Sequence, residues 1–360
     1  MTTIKEIAKQ ANVSEGTVDR VLHNRGGVSI KTEETIKKIL KENNFTANPI
    51  ARALAMKSKY KLCTLIPGYD AANLFWKSPY MGILKGSEEV KNYGIEVTNF
   101  NYNQFDPKSY VDGFNNLMEL NPSAVLIVPN FVNETKQIVK QLEKNNIPYI
   151  FFNIDLDGFN NISFIGQDSH TGGYVAAKLM HLSLGDNPTI LTVQTRINIS
   201  NSGISKRIDG FNDYFIKNNI PIERLFLDFD NINNVDESEV VLNSMLDKNS
   251  HIQGIFVPSS RISIIANCIK KKHLKSLQLV GFDNTPQNIK CLEEDKISFI
   301  ISQKPFNQGF ESIHLLTDYL VKKKIPIQKN YSPIDILTKE NARYNERFEL
   351  EYENENPDLN

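Results

Sequence analysis

An α/β protein of two doubly wound lobes behind a small all-helical domain is what this 360-residue sequence predicts. Three observations carry that expectation. From Leu62 onward, short apolar runs alternate with amphipathic helical stretches, the pattern of a parallel sheet covered on both faces. The alternation starts again near Thr189, so the pattern occurs twice. Ahead of it, the first 45 residues hold three short helical patterns and no strand pattern.

The helical segment opens with "TIKEIAKQANVSEGTVDRVLHNRG". Thr3 and Glu6 have the spacing of a capping box, and Ile4, Ile7, Ala8 and Ala11 follow at helical intervals. Asn12 and Val13 break the pattern, Ser14 caps a second start, and Val18, Val21 and Leu22 form its inner face. After "NRGG", the stretch "SIKTEETIKKILKENN" supplies a third helix with Ile36, Ile39 and Leu40 inside. Three such helices, basic overall, describe a helix-turn-helix unit over residues 1–46; a plain helical bundle with charged outer faces is the simpler use of the same pattern. In "TANPIARALAMKSK", Pro49 stands at a first helical position. This stretch, within a hinge over residues 47–60, is too short to be a stable helix alone and is expected to order with a partner.

The body, expected over residues 61–340, reads strand and helix in turn. "KLCTLIPG", "IEVTNFNYN", "SAVLIVP" and "IPYIFFNI" are strands; "YMGILKGSEEVKNYG", "SYVDGFNNLMELN" and "TKQIVKQLEKNN" are the helices between them. The second run has strands "TILTVQ", "RLFLDF", "IQGIFVP" and "LQLVGFD", with helices "SKRIDGFNDYFIKNN", "ESEVVLNSMLDKN" and "SIIANCIKKKHL". Two such lobes place a ligand between the carboxyl ends of their strands. Residues 341–360 read as an acidic tail without a leucine heptad, so no C-terminal coiled coil is expected.

Charge is distributed unevenly. Residues 1–61 hold twelve Lys/Arg against six Asp/Glu, and the remainder holds 29 against 36, so a head of +6 precedes a body of −7. A basic head suits a polyanionic partner. Cys63, Cys268 and Cys291 form no C-x-x-C pair, the six histidines are scattered, and neither a Walker loop, G-x-G-x-x-G, H-E-x-x-H nor G-x-S-x-G occurs. No catalytic residue, metal or cofactor is expected. "MTTIKEIAKQ" has no apolar leader pattern, and no run of about 18 apolar residues follows, so a cytoplasmic protein without a membrane partner is expected.

The stretches "TIKEIAKQANVSEGTVDRVLHN" and "VSIKTEETIKKILKENNFTANPIARALAMKS" resemble the DNA-binding headpiece and hinge of LacI/GalR-type bacterial transcription regulators over residues 3–58. The resemblance implies that Glu15, Gly16 and Arg20 face base edges, Ser14 and Thr17 touch phosphate, and Leu54 wedges into the minor groove, with Thr3, Asn24 and Arg52 on the same surface. These roles suit the chemistry: arginine grips a guanine edge bidentately, hydroxyls hold phosphate, and an apolar wedge unstacks a base step. Asp19 stands where the family commonly has serine, so the operator sequence does not follow from the resemblance.

The body resembles the periplasmic sugar-binding fold of those regulators over about residues 62–340, implying three crossings between lobes near Gly166, Gln303 and Asn330. The implied lobes are about 61–166 with 304–330, and 167–303 with 331–340. Local motifs then align Phe75 and Trp76 in "NLFW", Asn153 in "IPYIFFN", Arg207 in "KRIDGF", Ser259 in "FVPSSR", Asp283 in "VGFD" and Gln303 in "ISFIISQ" with ligand-contacting positions. Aromatic faces cover a sugar ring, and Arg, Asp, Asn and Gln satisfy hydroxyls. Phe75 and Trp76 would equally serve as core aromatics, Asp283 as a helix cap and Gln303 as a structural crossing residue. Asn153 and Ile154 depart from the acid-plus-arginine pair of ribose binders, putting an ordinary pentose or hexose in doubt.

The resemblance implies a homodimeric transcription regulator that binds a palindromic double-stranded DNA operator under the control of a small carbohydrate-like ligand. A sugar-transport binding protein would share the body but not the basic head. A two-lobed enzyme would need a nucleophile, base or metal constellation that the sequence lacks.

Overall fold

The N-terminal helices close around five side chains. The computed structural model describes residues 4–22, 26–43, 60–70, 73–195, 202–229, 235–345 and 347–356, and the chain divides into two units, Met1–Lys57 and Ser58–Asn360. In the first, α1 (Ile4–Gln10), α2 (Glu15–Leu22) and α3 (Ile30–Glu42) bury Ile7, Ala8, Val18, Val21 and Ile36. Asn12, at φ 52°, turns the chain between α1 and α2; the short polar side chain of asparagine makes this left-handed conformation affordable. The Ser14 hydroxyl accepts from Thr17 N at 3.2 Å and starts α2, and Ser29 does the same for α3 through Thr32 N at 3.2 Å. The hinge helix expected over 47–60 falls outside the described residues, save Tyr60, which already belongs to the first strand.

In the second unit, β1 (Tyr60–Pro67), α4 (Lys77–Val90), β2 (Ile95–Tyr102), α5 (Pro107–Glu119), β3 (Ala124–Ile127), α6 (Val132–Lys144), β4 (Tyr149–Phe152) and β5 (Ser163–Gly166) build one lobe. The other comprises α7 (Ser169–Leu184), β6 (Thr189–Gln194), α8 (Ser202–Lys217), β7 (Glu223–Asp228), α9 (Val235–Lys248), β8 (Gly254–Phe256), α10 (Ile262–Cys268), α11 (Lys271–Leu274), β9 (Gln278–Phe282), α12 (Pro286–Glu293) and β10 (Phe299–Ser302). The chain returns to the first lobe as α13 (Pro305–Lys322) and β11 (Lys329–Tyr331), and to the second as β12 (Asp335–Leu337). The sheets run β2-β1-β3-β4-β5-β11 and β7-β6-β8-β9-β10-β12, every pair parallel except β10 with β12. Central strands such as Ala124–Ile127 and Tyr149–Phe152 are buried along their whole length, because helices cover both faces.

Three parts of this fold differ from the sequence reading. Residues 155–188 carry no element there, yet form β5 and α7; the inner face of α7 is Gly172, Gly173, Ala176, Ala177 and Met180, too small to stand out as an apolar stripe. The single helix expected over "SIIANCIKKKHL" breaks at Ile269, which is extended at φ −80° and ψ 127°. There the buried Asn243 amide donates to Cys268 O at 2.7 Å and accepts from Lys270 N at 2.9 Å, satisfying the backbone that the break exposes. Third, the acidic tail is not simply a solvated run. A fourth passage between lobes leads from Ala342, packed in the second lobe's core, to α14 (Arg347–Glu355) on α4 of the first lobe. Tyr352, 4% exposed, packs on Met81 and Phe306 and donates to Glu88 at 3.1 Å; Glu349 accepts from Ser78 at 2.9 Å, and Glu353 pairs with Lys77 at 3.1 Å. Cys63, Cys268 and Cys291 are buried, and burial pushes the Cys63 thiol up to about 11.

Each lobe also contains one helix pair in backbone contact. In the first, a methyl on Gly82 of α4 would strike Phe306 O of α13, and one on Gly309 would strike Pro79 O. In the second, Gly173 of α7 lies against Arg207 O of α8, and Gly210 against His170 O. Such contacts leave no room for a side chain. Gly173→Ala is expected to cost about 1–3 kcal/mol of stability, as overpacking does. The control is Gly68→Ala, whose added carbon would meet nothing closer than 3.8 Å. Urea unfolding of the full-length variants checks the difference.

Candidate functional site

Parallel strands end together, so the loops that follow them face one another across the space between the lobes. From the first lobe come Phe75 and Trp76 after β1, Gln104 after β2, Asn130 after β3 and Asn153 after β4. From the second come Thr195 after β6, Arg207 on α8, Ser259 after β8, Asp283 after β9 and Gln303 after β10. They enclose a cavity of about 120 Å³. All seven ligand residues expected from sequence thus line one space.

Gln303 is its hub. It lies at the crossing after β10, 2% exposed; its carboxamide accepts from Asn153 Nδ2 at 3.2 Å and donates to Asp283 Oδ1 at 2.7 Å, joining the two lobes. Gln308 Nε2 donates to Gln303 O at 2.6 Å and fixes the crossing. Asn153 and Asp283 occupy matching places one residue beyond β4 and β9, and both are left-handed, at φ 63° and 69°. For a residue other than glycine this costs on the order of 1 kcal/mol. Asn288, wholly buried on α12, offsets the cost at Asp283: its amide donates to Asp283 O at 2.8 Å and to Ser260 O at 2.8 Å, tying two site loops together.

Arg207 is 8% exposed. Its guanidinium sits 3.8 Å from the centroid of the Phe282 ring, and Nη1 donates to Pro258 O at 3.1 Å, while the buried Nε has no partner. Burial pulls this guanidinium down and pushes the Asp283 carboxyl up; the charge of each opposes the shift of the other, and Gln303 also favours the ionised aspartate. A buried donor without an acceptor is costly, and a ligand oxygen is the group that would relieve it.

The aromatic pair serves two uses at once. Phe75 and Trp76 meet edge to face at 5.0 Å, belong to the first lobe's core and line the cavity, with Trp76 Nε1 donating to Gln104 Oε1 at 3.4 Å. The Ser259 hydroxyl lies 3.4 Å from that of Thr195. Gln104, Asn130, Thr195 and Asn288 were absent from the sequence expectations. The first three immediately follow strands or lie within three residues of their ends, the signal that would have found them. Beside the cavity, Lys206 of α8 donates to Asp155 O at 3.1 Å and stands 3.9 Å from its carboxylate, a link between lobes; within the first lobe Asp155 also binds Lys329 of β11 at 2.7 Å.

In the first unit, Ser14, just ahead of α2, and Glu15, Gly16 and Arg20 on it are exposed, and Thr17 is half-buried, while Val18 and Val21 are buried. The other expected contacts, Thr3, Asn24, Arg52 and Leu54, lie outside the described residues.

Residues 3–48 match the family described as bacterial regulatory proteins, lacI family, and residues 64–324 match the periplasmic binding protein domain. A ribose operon repressor of Halalkalibacterium halodurans is 26% identical over 97% of this chain and 99% of its own. A sucrose operon repressor of Streptococcus mutans is 26% identical over 89% and 92%. Among solved structures, a protein of Bacteroides fragilis assigned to the LacI transcriptional regulators matches with TM-score 0.72 at 28% identity, over 80% of this chain and 99% of that one. A periplasmic solute-binding protein of Actinobacillus succinogenes with bound D-allose matches with TM-score 0.66 at 18% identity, over 79% and 100%, a likeness of fold alone. The chain therefore belongs to the lacI family of bacterial regulatory proteins, a helix-turn-helix headpiece followed by a periplasmic-binding-protein domain.

Proposed function

We propose that this regulator binds a sugar or sugar derivative between its lobes, and that the ligand sets the affinity of a homodimer for a palindromic DNA operator. The observation that carries the ligand half is Arg207: a buried guanidinium, stacked on Phe282 and short of an acceptor, faces a cavity rich in carboxamides. Carboxamides, one carboxylate and one guanidinium match the mixed donors and acceptors of adjacent hydroxyls, and the Phe75–Trp76 corner suits the apolar face of a ring. Arg207, Asp283, Gln303 and Asn153 are assigned to hydroxyl recognition, and Ser259 to the rim.

The DNA half rests on the headpiece. One headpiece buries little DNA surface, so a two-fold dimer reading two half-sites supplies both affinity and spacing. β2 and β7 are the edge strands opposite β11 and β12 in the two sheets, and Phe226 on β7 is 49% exposed, which supports pairing of subunits along that side. The repressors of ribose and sucrose operons among the relatives favour a sugar-responsive operator. A transport receptor of the same fold would have no use for residues 3–48.

Two outcomes test these assignments. A thermal-shift screen of carbohydrates followed by calorimetry is expected to find a binder, and Arg207→Ala is expected to weaken it by about 1.5–3 kcal/mol, roughly ten- to a hundred-fold. Operator affinity of the ligand-free variant should stay close to that of the parent; undiminished ligand binding would remove Arg207 from the site. On a duplex selected from random-sequence DNA, Arg20→Ala is expected to cost about 1–3 kcal/mol through one base step per half-site. Equal weakening on every duplex would assign Arg20 to the phosphate backbone instead.

A further inference from the structure

The cavity around Arg207 does not end at its rim. Asn73, Gln104, Phe105 and Arg261 line it and also line a second, outer compartment of about 540 Å³, so the two adjoin. The remaining wall of the outer compartment includes Tyr69 and Asp70 after β1, Asn101 near the end of β2, Asn103 after it, and Ser109 in the first turn of α5. Arg261, at the start of α10 in the second lobe, holds its guanidinium 5.6 Å from the centroid of the Phe105 ring in the first, so the boundary between the compartments is built from both lobes.

We infer that the ligand is longer than one sugar ring: one ring occupies the inner cavity, and a second sugar unit, joined across that boundary, occupies the outer compartment as in a disaccharide or glycoside. This rests on the sugar-binding reading of the inner cavity. Volume is the first reason. At about 120 Å³ the inner space is well below the roughly 300–1,000 Å³ of pockets that enclose drug-sized molecules, whereas the outer compartment lies within that range.

Composition is the second reason. The outer wall repeats the inner one: aromatic rings in Tyr69 and Phe105, the latter 37% exposed, beside the carboxamides of Asn101 and Asn103 and one carboxylate, Asp70. Rings beside carboxamides suit a polyol, whose C–H face packs on the aromatic while its hydroxyls bond the amides. The wall is also built in advance. Phe105 N donates to Asn103 Oδ1 at 3.0 Å, Asn103 N donates to Ser109 Oγ at 2.9 Å, and Lys108 N donates to Asp106 Oδ1 at 2.9 Å, so a ligand would not have to order this loop.

Calorimetry on the full chain with matched probes tests the inference: glucose with maltose, galactose with lactose, fructose with sucrose, xylose with xylobiose, and arabinose with arabinobiose. At least one disaccharide is expected to bind ten-fold or more tightly than either of its component monosaccharides. Asn101→Ala and Asp70→Ala, which touch only the outer compartment, are expected to bring that disaccharide down to the monosaccharide level while leaving monosaccharide binding unchanged, which also shows that the variants fold. A monosaccharide that binds as tightly as its disaccharide, or outer variants that weaken both alike, would overturn the second subsite and leave the inner site standing. If no member of any pair bound, the sugar-binding reading itself would fail, and the inference with it.

Discussion

Two helix pairs packed backbone to backbone, one in each lobe, hold the cleft in register. All four helices begin at the cleft: α4 follows the Phe75–Trp76 turn, α13 follows Gln303, α7 begins at Ser169, and α8 carries Arg207. Glycines at the crossings allow separations that no side chain would permit, and Gly173 touches the backbone of Arg207 itself. A shift of α8 by the width of a methyl group would move the guanidinium off Phe282 and away from Pro258 O, because close-packed interiors transmit displacement. The position of the binding side chains therefore depends on residues that have none.

The second constraint is the polarity of a buried site. Asp283, Gln303 and Arg207 are all nearly or wholly excluded from water, where unpaired polar groups carry a cost of about 1–3 kcal/mol each. Most of that is offset within the protein, through the Asn153–Gln303–Asp283 relay and the four bonds of Asn288. What is not offset includes Arg207 Nε and, on the residue that fixes Gln303, Gln308 Oε1. A site whose polar groups are largely held by the protein itself is pre-organised, so a ligand would not have to order them.

The lobes are joined by more than the relay. Lys206 reaches Asp155 across the cleft, and the segment from Lys304 and Asn345 to α14 connects the second lobe's core with α4, with Lys304 Nζ donating to Asn345 O at 2.5 Å. Relative movement of the lobes has to rearrange these links. Each contact is modest, since half-exposed ion pairs contribute about 0–1 kcal/mol. A conformational change of the kind a ligand-controlled regulator requires can then be biased by the few kcal/mol that a small ligand supplies.

Period and composition pointed to a body of two parallel α/β lobes behind a basic helical unit, since short runs such as "AVLIVP" and "PYIFF" alternate with amphipathic helical stretches and Val18 and Val21 share a face on any helix. The resemblance to the periplasmic sugar-binding fold implied ligand-contacting positions at Phe75, Arg207 and Asp283, and these three line one cavity. Tertiary structure alone decided the rest. Neither the small-residue helix α7 nor the break at Ile269 had a local signal, because the first exists to let α8 approach and the second is stabilised by Asn243 from another helix. Gln104, Asn130 and Asn288 are ordinary amides in sequence and become site residues only because strand ends and loops distant along the chain converge on one space. Docking of α14 on α4 was equally hidden, since an acidic run does not reveal that Tyr352 has Met81 and Phe306 to pack against. Local pattern records which face of each element is apolar; what that face meets depends on residues far away along the chain, and that is the information only the folded protein holds.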